Sequence, residues 1–129
     1  MLTGQCLCGE ITYRVKGEPT RVSYCHCVEC RRFTGSAVLI GALVNRNVFE
    51  MNGNTMQYRS SLQGIRHFCG NCGSSMFYEF DNYPDRIEIL VGTMDNADTV
   101  IPTFHGFYSE RIGWFDVADT LPRWHTMPS

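Results

Sequence analysis

The stretch CHCVECRRFTG, residues 25–35, places three thiols within six residues. The other four cysteines form two close pairs, Cys6 with Cys8 near the start of the chain and Cys69 with Cys72 in its middle. Four thiolates complete a tetrahedral zinc site, whereas three leave one coordination position open to water or to a small molecule. This count of four plus three predicts one closed metal site and one open metal site.

The composition is that of an ordinary globular protein. The chain has 129 residues, of which 43% are hydrophobic and 19% charged, and its formal net charge is -2. This length and composition predict a single domain over residues 1–129. The near balance of 11 basic and 13 acidic residues argues against a nucleic-acid partner, because nucleic-acid binding favours a basic surface.

The cellular compartment bears on what the thiols can do. The first residues lack the basic and apolar segments of a signal peptide, and no run of about 18 apolar residues suggests a membrane span. We therefore expect a cytoplasmic protein with no membrane partner. Thiols stay reduced in that compartment, which favours metal binding over disulfides, and an odd count of seven argues against a complete disulfide framework. The alternatives are a redox pair or inert buried thiols.

Short segments of alternating polarity, separated by turn residues, run through the chain. The apolar run SAVLIGALV, residues 36–44, predicts a buried central strand, because Gly41 and its β-branched residues favour a strand over a buried helix. Residues 28–33 predict a single helical turn that ends at Gly35. Two strands are expected within 2–15, and others at 21–24, 56–59, 65–69, 74–80 and 86–91. Residues 45–50 are expected to be a connector and Gly64 a turn, and the whole pattern favours an all-β architecture.

Four apolar residues near the end of the chain are expected to pack together as a cover over the fold. They are Trp114, Phe115, Val117 and Leu121.

Two rigid cysteine pairs can close the four-cysteine site. Cys6 and Cys8 point to the same face of a strand, because side chains alternate along it. Cys69 and Cys72 belong to a knuckle, in which glycines relieve the strain of a tight turn over the sulfurs. The predicted closed site is Cys6, Cys8, Cys69 and Cys72, and the predicted open site is Cys25, Cys27 and Cys30. Spacing also permits another partition, in which the first pair joins Cys25 and Cys27 while Cys30 joins the knuckle.

Zinc is the expected metal, because tetrahedral thiolate sites select it in the cell, and an iron–sulfur centre is the alternative. His26 lies between two ligands and is expected to pack behind the site, with a fourth ligand or a proton relay as the other interpretation. Arg31 and Arg32 can offset thiolate charge or hold a carboxylate, or simply be solvated. The remaining histidines lack metal-ligand spacing and are expected to be structural: His67, His105 and His125.

These motifs together resemble a known family. They are the GxCxCG segment at residues 4–9, the three-cysteine stretch, the YRSS segment at 58–61, the FCxxCGS segment at 68–74 and the C-terminal part from 105 to 122. The chain is similar to the glutathione-dependent formaldehyde-activating enzyme family, also called the centromere protein V / formaldehyde-activating (GFA) domain. The resemblance covers nearly the whole chain.

The resemblance implies a β-tent, a mainly β fold of several small coiled antiparallel sheets around zinc. It implies two zinc ions per chain, a structural one on Cys6, Cys8, Cys69 and Cys72 and a catalytic one on Cys25, Cys27 and Cys30. It implies a carbon–sulfur lyase that acts on a small thiol and an aldehyde, joining glutathione with formaldehyde as S-(hydroxymethyl)glutathione. The alternative is a non-catalytic, zinc-stabilised binding module, and a nucleic-acid zinc ribbon is a distant third.

Overall fold

Strands in two sheets make up most of the regular structure in the computed structural model, which describes residues 1–128. The strands are β1 (Leu2–Gln5), β2 (Thr12–Val15), β3 (Arg21–Cys25), β4 (Leu39–Asn45), β5 (Phe49–Asn52), β6 (Met56–Arg59), β7 (Gly64–Phe68), β8 (Ser75–Phe80), β9 (Arg86–Leu90) and β10 (Phe104–Gly106). The α-helix α1 spans Val28–Thr34, and short 3-10 helices span Arg46–Val48, Val91–Thr93, Ala97–Thr99 and Tyr108–Glu110. The prediction of a mainly β fold is confirmed.

The smaller sheet has the strand order β1-β2-β5, and the larger has the order β10-β3-β4-β9-β8-β7-β6. Neighbouring strands are antiparallel except β3 and β10, which are parallel. The apolar run predicted as a central strand forms β4, whose Ala42 and Val44 have no exposed surface. Within residues 1–128, no helix is both long and apolar enough to cross a membrane.

The core lies between the two sheets and is organised around aromatic rings. Tyr13 of β2 and Phe49 of β5 meet Phe77 of β8 edge to face, with ring centroids 5.4 and 5.3 Å apart. Such edge-to-face pairs add favourable electrostatics to the burial of apolar area. One face of the large sheet therefore packs against the small sheet.

The opposite face of the large sheet carries a row of directly paired residues that crosses six strands. Directly paired residues of neighbouring strands share one face, because side chains alternate along each strand. The row runs through Arg21, Leu43, Glu88, Tyr78, Arg66 and Tyr58. A mostly polar row on an otherwise apolar sheet indicates that this face is not simply packed against more core. We call these six residues the polar row.

Cys6 and Cys8, expected on one face of a strand, lie instead in the turn between β1 and β2.

Three further expectations from the sequence were wrong in detail. Phe49 and Glu50, expected in a connector, belong to β5, an edge strand too exposed to show a hydrophobic alternation. Gly64 begins β7 rather than forming the turn before it. Trp114 does not pack as part of a C-terminal cover, since 81% of it is exposed, whereas the nearby Phe115 lies against the ring of His26.

Candidate metal centres and the adjoining cavity

The structure brings four thiols together at one side of the two sheets. The Sγ atoms of Cys6, Cys8, Cys69 and Cys72 all lie within 4.8 Å of one another. Sγ of Cys8 lies 3.6 Å from that of Cys6 and 3.8 Å from that of Cys69. Four sulfurs at about 2.3 Å from a tetrahedral zinc ion would be about 3.8 Å apart, so the donor set fits zinc. We call this group the four-cysteine cluster.

Hydrogen-bond donors around the four-cysteine cluster favour thiolates. The amide of Ile11 donates to Sγ of Cys6 at 3.3 Å, and the amide of Cys72 donates to Sγ of Cys69 at 3.5 Å. The hydroxyl of Ser74 lies 3.2 Å from Sγ of Cys72, and hydrogen bonds from Ser74 lower the pKa of Cys72 to about 5. Metal ligation requires the thiolate form, which these donors stabilise.

The other three thiols gather where β3 meets α1. Cys25 ends β3, Cys27 is the N-cap of α1 and Cys30 lies in its first turn. Their Sγ atoms lie within 4.8 Å of one another, and no fourth His, Cys, Asp or Glu ligand atom of residues 1–128 joins them. The amide of Cys30 donates to Sγ of Cys27 at 3.3 Å, and Gly35, in the left-handed region at φ 67°, ends the helix as the sequence predicted. We call this group the three-cysteine cluster.

The three thiols share their protons unequally. Hydrogen bonds from Cys25 and then Cys30 hold the pKa of Cys27 well below its usual range, at about 2. Sharing with Cys27 and Cys30, together with burial, raises the pKa of Cys25. A metal ion takes all three sulfurs as thiolates, so its binding must displace the protons held by the two buried thiols.

The positive charge nearest this cluster is Arg66 of the polar row. Arg66 is 2% exposed. Its guanidinium donates to Sγ of Cys30 at 3.5 Å and to Oε1 of Glu29 at 3.1 Å, and lies 3.6 Å from the ring centre of Tyr78. Burial opposes its charge, but the combined effect of Cys30, Tyr78 and Glu29 is larger and raises the pKa of Arg66. A buried guanidinium in this position offsets the negative charge of the sulfurs.

Arg31 and Arg32 do not take that position. Nη2 of Arg31 donates to the carbonyl of Glu110 at 3.4 Å, and Arg32 lies along the rim of the adjoining cavity. No hydrogen bond joins either arginine to a sulfur of the cluster among the described residues. Arg66, which sequence reasoning did not identify, is the arginine placed to offset the thiolate charge, a role that the sequence suggested for Arg31 and Arg32.

His26 belongs to a buried chain of polar groups behind the three-cysteine cluster. Its Nε2 lies 2.9 Å from Nδ1 of His105, whose Nε2 lies 3.0 Å from the carboxylate of Asp119. The carboxylate accepts a hydrogen bond from Nε2–H of His105, which leaves Nδ1 of that ring to accept one from Nε2–H of His26. Burial, and then His105, lower the pKa of His26 to about 4. His26 therefore packs as a neutral ring behind the ligands, and its nitrogens lie outside the cluster.

A cavity of about 770 Å³ adjoins the three-cysteine cluster. All three cysteines line it, and five members of the polar row form its floor: Arg21, Glu88, Tyr78, Arg66 and Tyr58. Its walls include three further aromatic side chains, Phe33, Phe80 and Phe107. A volume of this size accepts a small organic molecule. The three-cysteine cluster is thus exposed to a ligand-sized space.

Loss of Arg66 is expected to destabilise the protein. In Arg66→Met, the cavity floor loses a buried cation and its hydrogen bonds, and the free energy of unfolding should fall by about 2 kcal/mol or more. Arg59→Met is the matched control on the neighbouring strand, because Arg59 is half-exposed and its ion pair with Asp81 should contribute less than about 1 kcal/mol. Urea unfolding of the metal-loaded proteins measures both, and equal losses would contradict the assignment of Arg66.

The fold and the two clusters define a mainly β protein with two sites able to hold metal ions. The chain belongs to the family described as glutathione-dependent formaldehyde-activating enzyme, whose family model matches residues 1–110. The resemblance seen in the sequence is confirmed.

Two curated relatives show different degrees of similarity. An uncharacterized lyase of Schizosaccharomyces pombe is 32% identical over 79 residues, which is 61% of this chain and 58% of the relative. A Halomonas elongata protein, provisionally named glutathione-dependent formaldehyde-activating enzyme, is 25% identical over 105 residues, which is 74% of this chain and 67% of that protein. The chain thus spans about three-fifths to two-thirds of these relatives' lengths.

A solved structure shares the fold. The crystal structure of a Rhodobacter sphaeroides protein superimposes with a TM-score of 0.59 over 73% of this chain and 88% of that chain. The two sequences are 21% identical, so this likeness bears on the fold alone.

Proposed function

We propose that this protein is a zinc-dependent carbon–sulfur lyase that catalyses the reversible addition of a small thiol to an aldehyde. Glutathione and formaldehyde are the proposed pair, and S-(hydroxymethyl)glutathione is the product. The observation that carries the proposal is the opening of a three-thiolate cluster into a cavity of about 770 Å³. Membership of the family and the lyase name of one relative support it.

The proposal assigns different roles to the two clusters within a single domain of residues 1–129. The four-cysteine cluster holds a structural zinc, because four sulfurs leave no position for a substrate. The three-cysteine cluster holds the catalytic zinc, which supplies a positive charge that favours the thiolate form of an entering thiol. Its protein ligands are Cys25, Cys27 and Cys30.

The chain's own residues prepare the cavity for this reaction. Three thiolates on one divalent ion carry a net negative charge, which Arg66 offsets from its position at Sγ of Cys30. The aromatic walls restrict water around the sulfur and the aldehyde carbon, which strengthens electrostatic interactions there. The sulfur forms a bond to the aldehyde carbon, and the same bond breaks in the reverse direction.

Zinc content and turnover test the proposal together. Protein purified under reducing conditions is expected to hold about two zinc ions per chain, one for each thiolate cluster. It should also accelerate the equilibration of glutathione with formaldehyde, followed by NMR exchange between the free and adduct signals. Two zinc ions without any acceleration would favour the binding-module alternative. One zinc ion that added zinc does not raise to two would contradict the role given to the three-cysteine cluster.

A further inference from the structure

Glu88 is a carboxylate buried on the floor of the cavity. It lies in the middle of β9 and is 8% exposed. Its side chain lies over Gly41 of the neighbouring strand β4. A Cβ atom on residue 41 would overlap Oε1 of Glu88. Gly41 leaves that space open because it has no side chain. The glycine in the central strand therefore accommodates the carboxylate of its neighbour.

This position brings Glu88 close to the three-cysteine cluster. Gly41 pairs with Ser23, and Cys25 lies two residues further along the same face of β3. Diagonal neighbours of this kind are about 7–8 Å apart between Cα atoms. The carboxylate above Gly41 and the thiol of Cys25 thus face the same end of the cavity, and both line it. A molecule bound to the cluster would lie within reach of Glu88.

Glu88 has no protein partner in the part of the chain that the structure describes. No hydrogen bond reaches its carboxylate and no ion pair is formed within 4.0 Å, whereas Arg66 of the polar row contacts both Cys30 and Glu29. Its oxygens are not among the fully enclosed polar atoms that lack a partner, so they face the cavity rather than the closed core. A ligand in the cavity would supply that partner.

The surroundings of Glu88 favour its neutral form. Burial raises its pKa, and the thiolate of Cys27 acts in the same direction, whereas Arg21 of β3 and Arg66 of β7 oppose it. Tyr78 of β8, its directly paired neighbour, is also a neutral group whose pKa burial raises. A neutral carboxyl group can donate a proton, which an ionised one cannot.

We propose that Glu88 is the proton-transfer group of the cavity and delivers a proton to the aldehyde oxygen as the carbon–sulfur bond forms. This inference rests on the proposed function. As the thiolate sulfur attacks the carbon, the π electron pair of the carbonyl moves to oxygen, which takes the carboxyl proton of Glu88. The proton released when the next thiol becomes a thiolate returns to the carboxylate. The sum is one thiol plus one aldehyde giving one hydroxyalkyl thioether, with no oxidation or reduction.

Glu88→Gln is the direct test, because the amide keeps the size of the side chain and cannot transfer a proton. General acid catalysis contributes about 100-fold or more, so we expect kcat for the thiol–aldehyde addition to fall by that factor. KM, zinc content and the circular dichroism spectrum should stay near the parent values. Glu50→Gln is the matched control, because Glu50 lies half-exposed on the small sheet and pairs with Arg14 and Lys16. A Glu88→Gln protein with at least half the parent kcat would overturn the inference.

The pH profile separates a proton-transfer role from a packing role. The addition rate of the parent protein should fall as the pH rises through the pKa of Glu88, because only the protonated carboxyl donates. This fall in rate with rising pH, the alkaline limb of the profile, should be missing from Glu88→Gln and retained in Glu50→Gln. Glu88→Asp keeps a titrating carboxyl and should retain the limb at a reduced rate, and it takes the place of the glutamine variant if that variant does not fold.

A readout independent of turnover distinguishes failure of the inference from failure of the proposed function. Carbon-13 NMR of glutamate side-chain carboxyls identifies Glu88 as the signal lost in Glu88→Gln. If the parent protein does not act on glutathione and formaldehyde, the proposed function fails, and this signal still decides whether Glu88 holds a proton that it can transfer. A Glu88 carboxyl that stays protonated at pH 7 supports it. Titration near the ordinary glutamate value of about 4.3 overturns it.

Discussion

The variant Cys69→Ser is expected to lose cooperative folding. Cys69 is 1% exposed and belongs to the four-cysteine cluster, which joins the segment between β1 and β2 to the segment between β7 and β8. Structural zinc contributes about 10–16 kcal/mol to the folding of small metal domains, which is as large as the whole stability of a typical domain, about 5–15 kcal/mol. Removing one of four sulfurs therefore removes most of the free energy that holds these segments together.

Circular dichroism and the dispersion of amide NMR signals measure this effect. We expect narrow amide dispersion and no cooperative urea transition for Cys69→Ser, and the same result when a strong chelator strips the parent protein. The matched control is Cys27→Ser, the same change of side chain in the other cluster. A Cys69→Ser protein with the parent spectrum and transition would show that the four-cysteine cluster does not hold the fold together.

The variant Cys27→Ser is expected to keep its fold while losing one metal ion and all turnover. Serine is a preferred helix N-cap, and its hydroxyl can accept the Cys30 amide hydrogen bond that Sγ of Cys27 accepts in the parent. Helix α1 should therefore persist. The remaining two sulfurs cannot hold zinc as tightly as three, so the zinc content should fall from about two ions per chain to about one.

Zinc analysis, thermal unfolding and the thiol–aldehyde exchange assay test this second variant on one preparation. The expected result is a cooperative transition, the loss of one zinc ion and an exchange rate equal to that without protein. Unfolding of Cys27→Ser would instead make the three-cysteine cluster structural. Exchange at the parent rate by a protein that holds one zinc ion would show that the three-cysteine cluster does not take part in the reaction.

The grouping of the cysteines could be read from the sequence because each pair or triplet is local. Cys6 and Cys8 lie in the turn between β1 and β2 rather than on the predicted strand, but a separation of one residue keeps their sulfurs close, as the four-residue knuckle does for Cys69 and Cys72. The same holds for Cys27 and Cys30, which one turn of α1 places side by side. The structure places the seven thiols in the expected groups of four and three, and not in the other partition that spacing permitted.

The charged residues around the three-cysteine cluster could not be read in the same way. Arg66 reaches Cys30 across 36 residues, and that contact depends on how β7 is joined to β3 through β8, β9 and β4. Glu88 stands between two isoleucines in RIEIL, a pattern that ordinarily places the polar residue in solvent. Both faces of β9 are buried here, so the alternation is misleading. His105, expected to be structural by its lack of spacing, meets His26 only because β10 pairs with β3.

The fit of Glu88 over Gly41 links two positions that lie 47 residues apart on adjacent strands. A side chain at position 41 would displace the carboxylate from this space, so we expect the two positions to vary together during evolution. Chains of this family that carry a larger residue at the position of Gly41 should lack an acid at the position of Glu88. A larger residue at the first position together with glutamate at the second should be rare. Covariation at these two sites would thus sort the family into members that retain an acid beside the thiolates and members that have discarded it.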